Sequence, residues 1–86
     1  MNKIEWISIG EDKYQLDKNG ASATLSWDIL HQDWYLQIVE HDADYVDESW
    51  RPLEYELYES SLEGTLEQKD KVLSEAIAII KDVLHV

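Results

Sequence analysis

Between Tyr14 and Ile38 apolar residues fall on every second position, broken only where the chain must reverse. That period of two predicts strands with one buried face. The first reversal is K-N-G-A at residues 18–21, and Asn-Gly is the preferred pair for a two-residue turn in which both central residues need positive φ. With Asn19 and Gly20 as the loop, Lys18 pairs with Ala21, Leu16 with Ala23, Gln15 with Thr24 and Tyr14 with Leu25. Apolar meets apolar and polar meets polar, so turn chemistry and alternation agree on the register.

A second reversal is expected near His31 and Gln32, setting Ile29 against Trp34, Trp27 against Leu36 and Leu25 against Ile38. Its turn residues are weak, which leaves room for a longer loop. A further strand reads from Leu53 to about Glu59, with Pro52 at its first position, where a missing N–H matters least. Residues 4–9, I-E-W-I-S-I, form another short strand, read as continuing into Tyr14–Leu16 through a bend at Gly10. After Ser60 the period lengthens to 3.6. Thr65 and Gln68 form a capping-box pattern, and Leu66, Leu73, Ala76, Ile77, Ile80, Val83 and Leu84 make one apolar stripe.

These elements predict an α+β fold, an antiparallel meander of four to five strands covered on one face by a single C-terminal helix. The sheet is expected at about residues 3–59 and the helix at about 65–85 of one domain spanning 1–86. The uncovered face then carries Ser22, Thr24 and Ser26, Tyr35, Gln37 and Val39, and Glu54, Glu56 and Tyr58.

Charge changes the picture more than composition does. The 86 residues carry a formal charge of −12, and the ten acids and one base of residues 40–67 account for −9 of it. Elsewhere nine acids face six lysines, an ordinary surface. Direct nucleic-acid binding is disfavoured by sign, because phosphate contacts are supplied by Lys and Arg. The absence of Cys excludes disulfides, Cys-ligated zinc and thiol catalysis. No apolar stretch approaches the ~20 residues of a membrane span, and no basic region followed by a long apolar run opens the chain, so a cytoplasmic setting is expected.

Candidate chemistry concentrates in H-D-A-D-Y-V-D-E-S-W, residues 41–50, which fits neither a helix nor a clean strand. Asp42, Asp44 and Asp47 lack the spacing and the glycine of a calcium loop. The three histidines have no ligand spacing, so neither metal nor cofactor is expected. The scattered glycines form no nucleotide-binding or nucleophile-elbow pattern, and a sheet with one helix offers little cleft, so an enzyme is not expected. What the segment offers is a surface. Glu40, Asp42, Asp44, Asp47, Glu48, Glu54 and Glu56 supply carboxylates, with Glu59, Glu63 and Glu67 beyond them, and Tyr45, Trp50, Arg51 and Tyr58 are of the residue types that anchor interfaces. Trp50 reads first as a lid folded over the sheet edge and otherwise as an exposed anchor; Trp6, Trp27 and Trp34 fit the core, with their indole N–H groups at its edge.

The succession of a short strand, G-E-D-K-Y-Q-L-D-K-N-G-A, a Trp-containing strand pair and T-L-E-Q-K-D-K-V-L-S-E-A-I resembles small phage-type or prophage-type meander-plus-helix proteins, some anti-CRISPR and other anti-defence inhibitors among them. The resemblance implies an inhibitor that occupies the nucleic-acid-binding surface of a basic partner, such as a nuclease or defence effector. An immunity protein to a basic toxin nuclease would carry the same features. A self-associating structural or regulatory module, a homodimer built on the open sheet face around Tyr35, Val39 and Tyr58, is the alternative of a different class.

Overall fold

The computed structural model describes residues 4–46 and 48–86. Five antiparallel strands, β1 (Ile7–Gly10), β2 (Lys13–Lys18), β3 (Ala21–Asp28), β4 (Asp33–Val46) and β5 (Pro52–Leu62), lie in sequence order in one sheet. A single 3-10 turn at Leu66–Gln68 leads into one helix, α1 (Lys69–Leu84). The α+β architecture is the expected one, and the 19 Å short dimension is that of one sheet and one helix.

Asn19 and Gly20 make the β2–β3 turn with φ of +52° and +76°, and all four expected pairs are present. This places Leu16, Ala23 and Leu25 on the covered face, each at most 2% exposed. Trp34, Leu36 and Ile38 of β4 and Val72, Ala76 and Ile80 of α1 complete the core, all at 0% exposure. Each such Leu or Ile contributes about 1.5–3 kcal/mol by leaving water. The helix residues recur at intervals of four, one stripe turned to β3, β4 and β5. Trp27 meets Trp34 edge to face, 5.5 Å between centroids. The indole N–H groups reach backbone carbonyls at the core margin: Trp6 donates to Leu73 (3.1 Å) and Trp34 to Thr65 (3.3 Å).

Four expectations are corrected. Strand β1 does not continue into β2; the chain reverses at Glu11 and Asp12, with Asp12 at φ +52°, so Gly10 pairs with Lys13. The β3–β4 register differs from expectation by two residues: Trp27 pairs with Trp34, Leu25 with Leu36 and Ala23 with Ile38. Asp28 explains this, because its Oδ1 accepts the N–H groups of Leu30 and His31 and so closes a four-residue loop, leaving Ile29 and Leu30 78% and 88% exposed. A shift of two preserves the face of every side chain. In the helical region Val72 is buried whereas Leu66, assigned to the stripe, is 40% exposed, because it belongs to the 3-10 turn that precedes α1.

Tyr58 is the fourth correction. Ile38 pairs with Tyr58 but Val39 pairs with Glu56, so Leu57 is an extra residue in β5. Such a bulge reverses the parity of the strand. Tyr58 therefore joins the covered side, packed against the core, and Glu59 takes its place on the open face opposite Gln37.

Candidate functional site

Ladder partners share a face, so the strand pairing defines the open face. Asp17, Ser22, Val39 and Glu56 form one cross-strand row; Gln15, Thr24, Gln37 and Glu59 form the next; His41 and Glu54 form a third. The segment expected as a loop is strand as far as Val46, although the β4–β5 ladder is irregular between Asp42 and Val46. The backbone N–H of His41 donates to Gly20 O at 2.9 Å, carrying the pairing past the β2–β3 turn.

The acids of residues 40–67 do not all gather. Glu54, Glu56 and Glu59 line the open side of the edge strand β5. Glu40 and Asp42 share the parity of Ile38, and so face the helix-covered side, where Glu40 opposes Tyr55 and Asp42 opposes Leu53. Glu48, Trp50 and Arg51 stand exposed at the β4–β5 turn. Trp50 is no lid: it is 83% exposed at φ +61°. Asp47 and the side chains of Asp44 and Tyr45 lie outside the described residues. Glu63 and Glu67 are exposed in the connection to α1.

Two side-chain groups organise the open face. At the bulge, Glu56 and Glu59 are close enough to share a proton. The bond to Glu59, with burial and its charge, raises the Glu56 carboxyl above its ordinary value. The bond from Glu56, together with that from the Tyr35 hydroxyl, lowers Glu59. Burial first, and then the bond to Glu59 and the charges of both carboxylates, push Tyr35 up to about 12.

The second group crosses four strands. Ser22 Oγ is 2.6 Å from Asp17 Oδ1 and 2.9 Å from His41 Nε2, and His41 Nδ1 is 3.5 Å from Glu54 Oε1. Gln15 Nε2 donates to Asp17 Oδ1 at 3.1 Å. An open hollow of about 550 Å³ lies beside the group, lined by Asp17, Lys18, Asn19, Gly20, Ser22 and His41 among others. The order Ser–His–carboxylate is that of a nucleophile relay, in which the serine donates to the imidazole. Here the short contact to Asp17 competes for the only hydroxyl hydrogen. Among the described residues no group of three or more His, Asp or Glu side chains is placed to hold a metal.

Sequence reading did not find this second group, because it depends on strand pairing beyond Val39. The signal available was the position of His41, two residues beyond Val39 and therefore on the same face if the strand continued. No helix among the described residues is long and apolar enough to cross a membrane. No protein-family model, no curated protein and no solved structure matches the chain.

Proposed function

We propose that the protein is a non-enzymatic, acidic binding protein that inhibits a basic, nucleic-acid-binding partner by presenting carboxylates where that partner expects phosphates. The observation that carries this reading is the alignment of Glu54, Glu56 and Glu59 along the open side of one edge strand. Same-face positions two residues apart on a strand are about 6.6–6.8 Å apart, the spacing of Glu54 and Glu56, and the bulge brings Glu59 onto the same side beyond them, so the row is an array of acidic groups along the strand. Strand β5 has a partner strand on one side only, which makes the array accessible along its length. Trp50, exposed at the end of the same strand, supplies an apolar anchor beside Arg51. The partner is a nuclease or another defence effector, in a cytoplasmic setting. An immunity role toward a toxin nuclease uses the same surface, and neighbouring genes separate the two.

The test is capture of partners from host lysate at low and high salt, with identification of what is retained. Basic nucleic-acid-binding proteins are expected, displaced by salt, by competing DNA or RNA, and by the triple charge reversal Glu54→Lys, Glu56→Lys, Glu59→Lys. Reversal is expected to act mainly on the association rate and to flatten its salt dependence. Retention indifferent to salt and to reversal refutes the reading. A second reading, self-association through the open face, draws support from Ile7, which is 62% exposed on that face opposite Gln15 of β2. Sedimentation at micromolar concentration decides it: a strict monomer removes it.

A further inference from the structure

We propose that the outer side of β5 takes up an extended segment of the partner as a sixth strand of the sheet, and that this segment carries basic and apolar residues in alternation. The inference rests on the partner being basic, as in the proposed function, and adds how that partner is held. It begins from a difference between the two edges of the sheet. Strand β1 is four residues long, its ladder is irregular between Ser8 and Gly10, and the Ser8 hydroxyl donates to the Gly10 carbonyl at 3.3 Å. Shortness and a bulge are ordinary protections of a strand edge. Strand β5 runs for 11 residues and, among the described residues, pairs with β4 alone. In a strand paired on one side, the N–H and C=O groups of alternate residues point away from the neighbour and are a template for another strand.

The two sides of β5 define what the added strand must carry. Glu54 and Glu56 stand exposed on the open side. Tyr55, between them, lies on the helix side opposite Glu40, yet is 48% exposed. Leu53, opposite Asp42, is half-buried on that same side. Side chains directly opposite each other on neighbouring strands are about 4.5–5.5 Å apart. A strand laid along residues 53–56 therefore sets its residues in turn against two carboxylates on one side and against Leu53 and Tyr55 on the other. Lysine or arginine satisfies the first, and an apolar residue satisfies the second. The extra residue Leu57 ends the uninterrupted window, so the shortest matching pattern is basic, apolar, basic, facing Glu54, Tyr55 and Glu56. Beyond it Glu59 resumes the open side.

The same carboxylates exclude a second copy of the chain as the occupant. Strand β5 holds three glutamates and no Lys or Arg. Antiparallel pairing with β5 of another molecule, centred on Tyr55, sets Glu54 of each copy against Glu56 of the other, and like charges directly opposite are destabilising. Acidic residues along this edge thus bar self-pairing and at the same time select a cationic strand.

NMR titration of the isotope-labelled protein with peptides tests this. The probe is a short blocked peptide of alternating arginine and valine. Beside it stand its isomer with all arginines before all valines, and the alternating peptide N-methylated at every backbone amide. All three carry the same charge. The alternating peptide is expected to bind about ten- to thirtyfold more tightly than the N-methylated one, the worth of two net backbone hydrogen bonds, with the block isomer between them. Amide exchange is expected to slow at alternate residues of 53–56 and to stay unchanged in β1. Equal binding of all three peptides, weakened by salt, overturns strand addition and leaves the proposed function standing. Slowed exchange in β1 in place of β5 overturns the site. A threonine–valine alternation that protects β5 as well as the arginine peptide does overturns the selection of a basic strand, and counts against the proposed function too. Protection of residues 53–56 that grows with protein concentration and needs no peptide shows self-pairing and overturns the proposal.

Discussion

The two faces of the sheet use alternate residues of the same strands for opposite purposes. Leu36 and Ile38 are at 0% exposure under α1, whereas Gln37 and Val39 between them stand on the open face in rows that end at Glu59 and Glu56. Among the described residues, the fully buried members of the covered face are all apolar, so their contribution to stability is packing. On the open face, Asp17, Ser22, His41 and Glu54 are linked by hydrogen-bond and ion-pair contacts, and Tyr35, Glu56 and Glu59 by hydrogen bonds and charge. Core packing and surface electrostatics are therefore separable by substitutions one residue apart.

Adjacent positions give the strongest test of that separation. Leu36→Ala is expected to destabilise the domain by about 2–5 kcal/mol, a large share of the roughly 5–15 kcal/mol available to a domain of this kind. Gln37→Ala is expected to fall within about 0.5 kcal/mol. Urea midpoints measure both, and similar losses would show that the open face is as much a part of the fold as the covered one. A second core test lies at the entry to the helix. Gly64 has φ +152°, and a Cβ there would sit 2.6 Å from Val72 Cγ2, a fully buried side chain. Gly64→Ala is expected to destabilise by about 1–3 kcal/mol through overpacking. Adding Val72→Ala makes room for the new methyl, so the double variant should lose less than the sum of the two.

The legible part of the structure was the part governed by local chemistry. Asn19-Gly20 fixed a turn, the turn fixed four pairs, and these placed half the covered face. Reasoning failed where a side chain or a bulge set the register instead. Asp28 closes its loop by accepting two backbone N–H groups, an Asx pattern available in the sequence but outweighed by the alternation that led to Ile29. The Leu57 bulge has no glycine or proline to announce it, yet it moves Tyr58 under the helix and puts Glu59 beside Glu56. The candidate acidic surface was accordingly only half readable: Glu54 and Glu56 were placed correctly, Glu59 became part of the row only through the bulge, and Glu40 fell on the other side.

Titration of the open face sharpens the comparison at intermediate size. Tyr35 is raised from 10.0 to about 12, so the folded state holds its phenol proton longer than the unfolded chain. Stability from this source is complete below about pH 10 and is lost as pH rises toward 12. Absorbance of the phenolate should show a late phase that Tyr35→Phe removes. The Glu56 carboxyl is raised, so its contribution is greatest when protonated and disappears as pH climbs through that raised value. Glu59 is lowered and behaves inversely, contributing above the ordinary carboxylate range and failing as pH falls through its depressed value. Replacing Glu56 with Gln leaves a permanent donor facing Glu59. The variant should be more stable than wild type at neutral pH, with a flatter profile just above the carboxylate range; a loss of stability there would refute proton sharing at the bulge.

The smallest effect is expected at the β3–β4 turn, which belongs to neither face. His31 Nδ1 and Asp28 Oδ2 are 2.7 Å apart, and the imidazole is raised by that bond and then by the Asp28 charge, with Asp33 adding to it. Asp28 is lowered, first by the side chain of His31 and then by its backbone N–H, with Leu30 N–H also contributing. The His31 contribution is present below the ordinary imidazole value and is lost as pH rises through the raised one. That of Asp28 is present above the ordinary carboxylate value and is lost as pH falls through the depressed one. The pair therefore acts only in the window between them. His31→Ala should flatten the alkaline side of that window and weaken the acid side as well, because it removes the largest cause of the Asp28 lowering and leaves only the two backbone N–H groups. The imidazole is 73% exposed, so 1 M salt, with a screening length of about 3 Å, should erase most of the difference between His31→Ala and wild type. The same salt should leave the gap between Leu36→Ala and wild type unchanged, since packing carries no charge to screen, and a gap that closes with salt would place electrostatics inside the covered face after all.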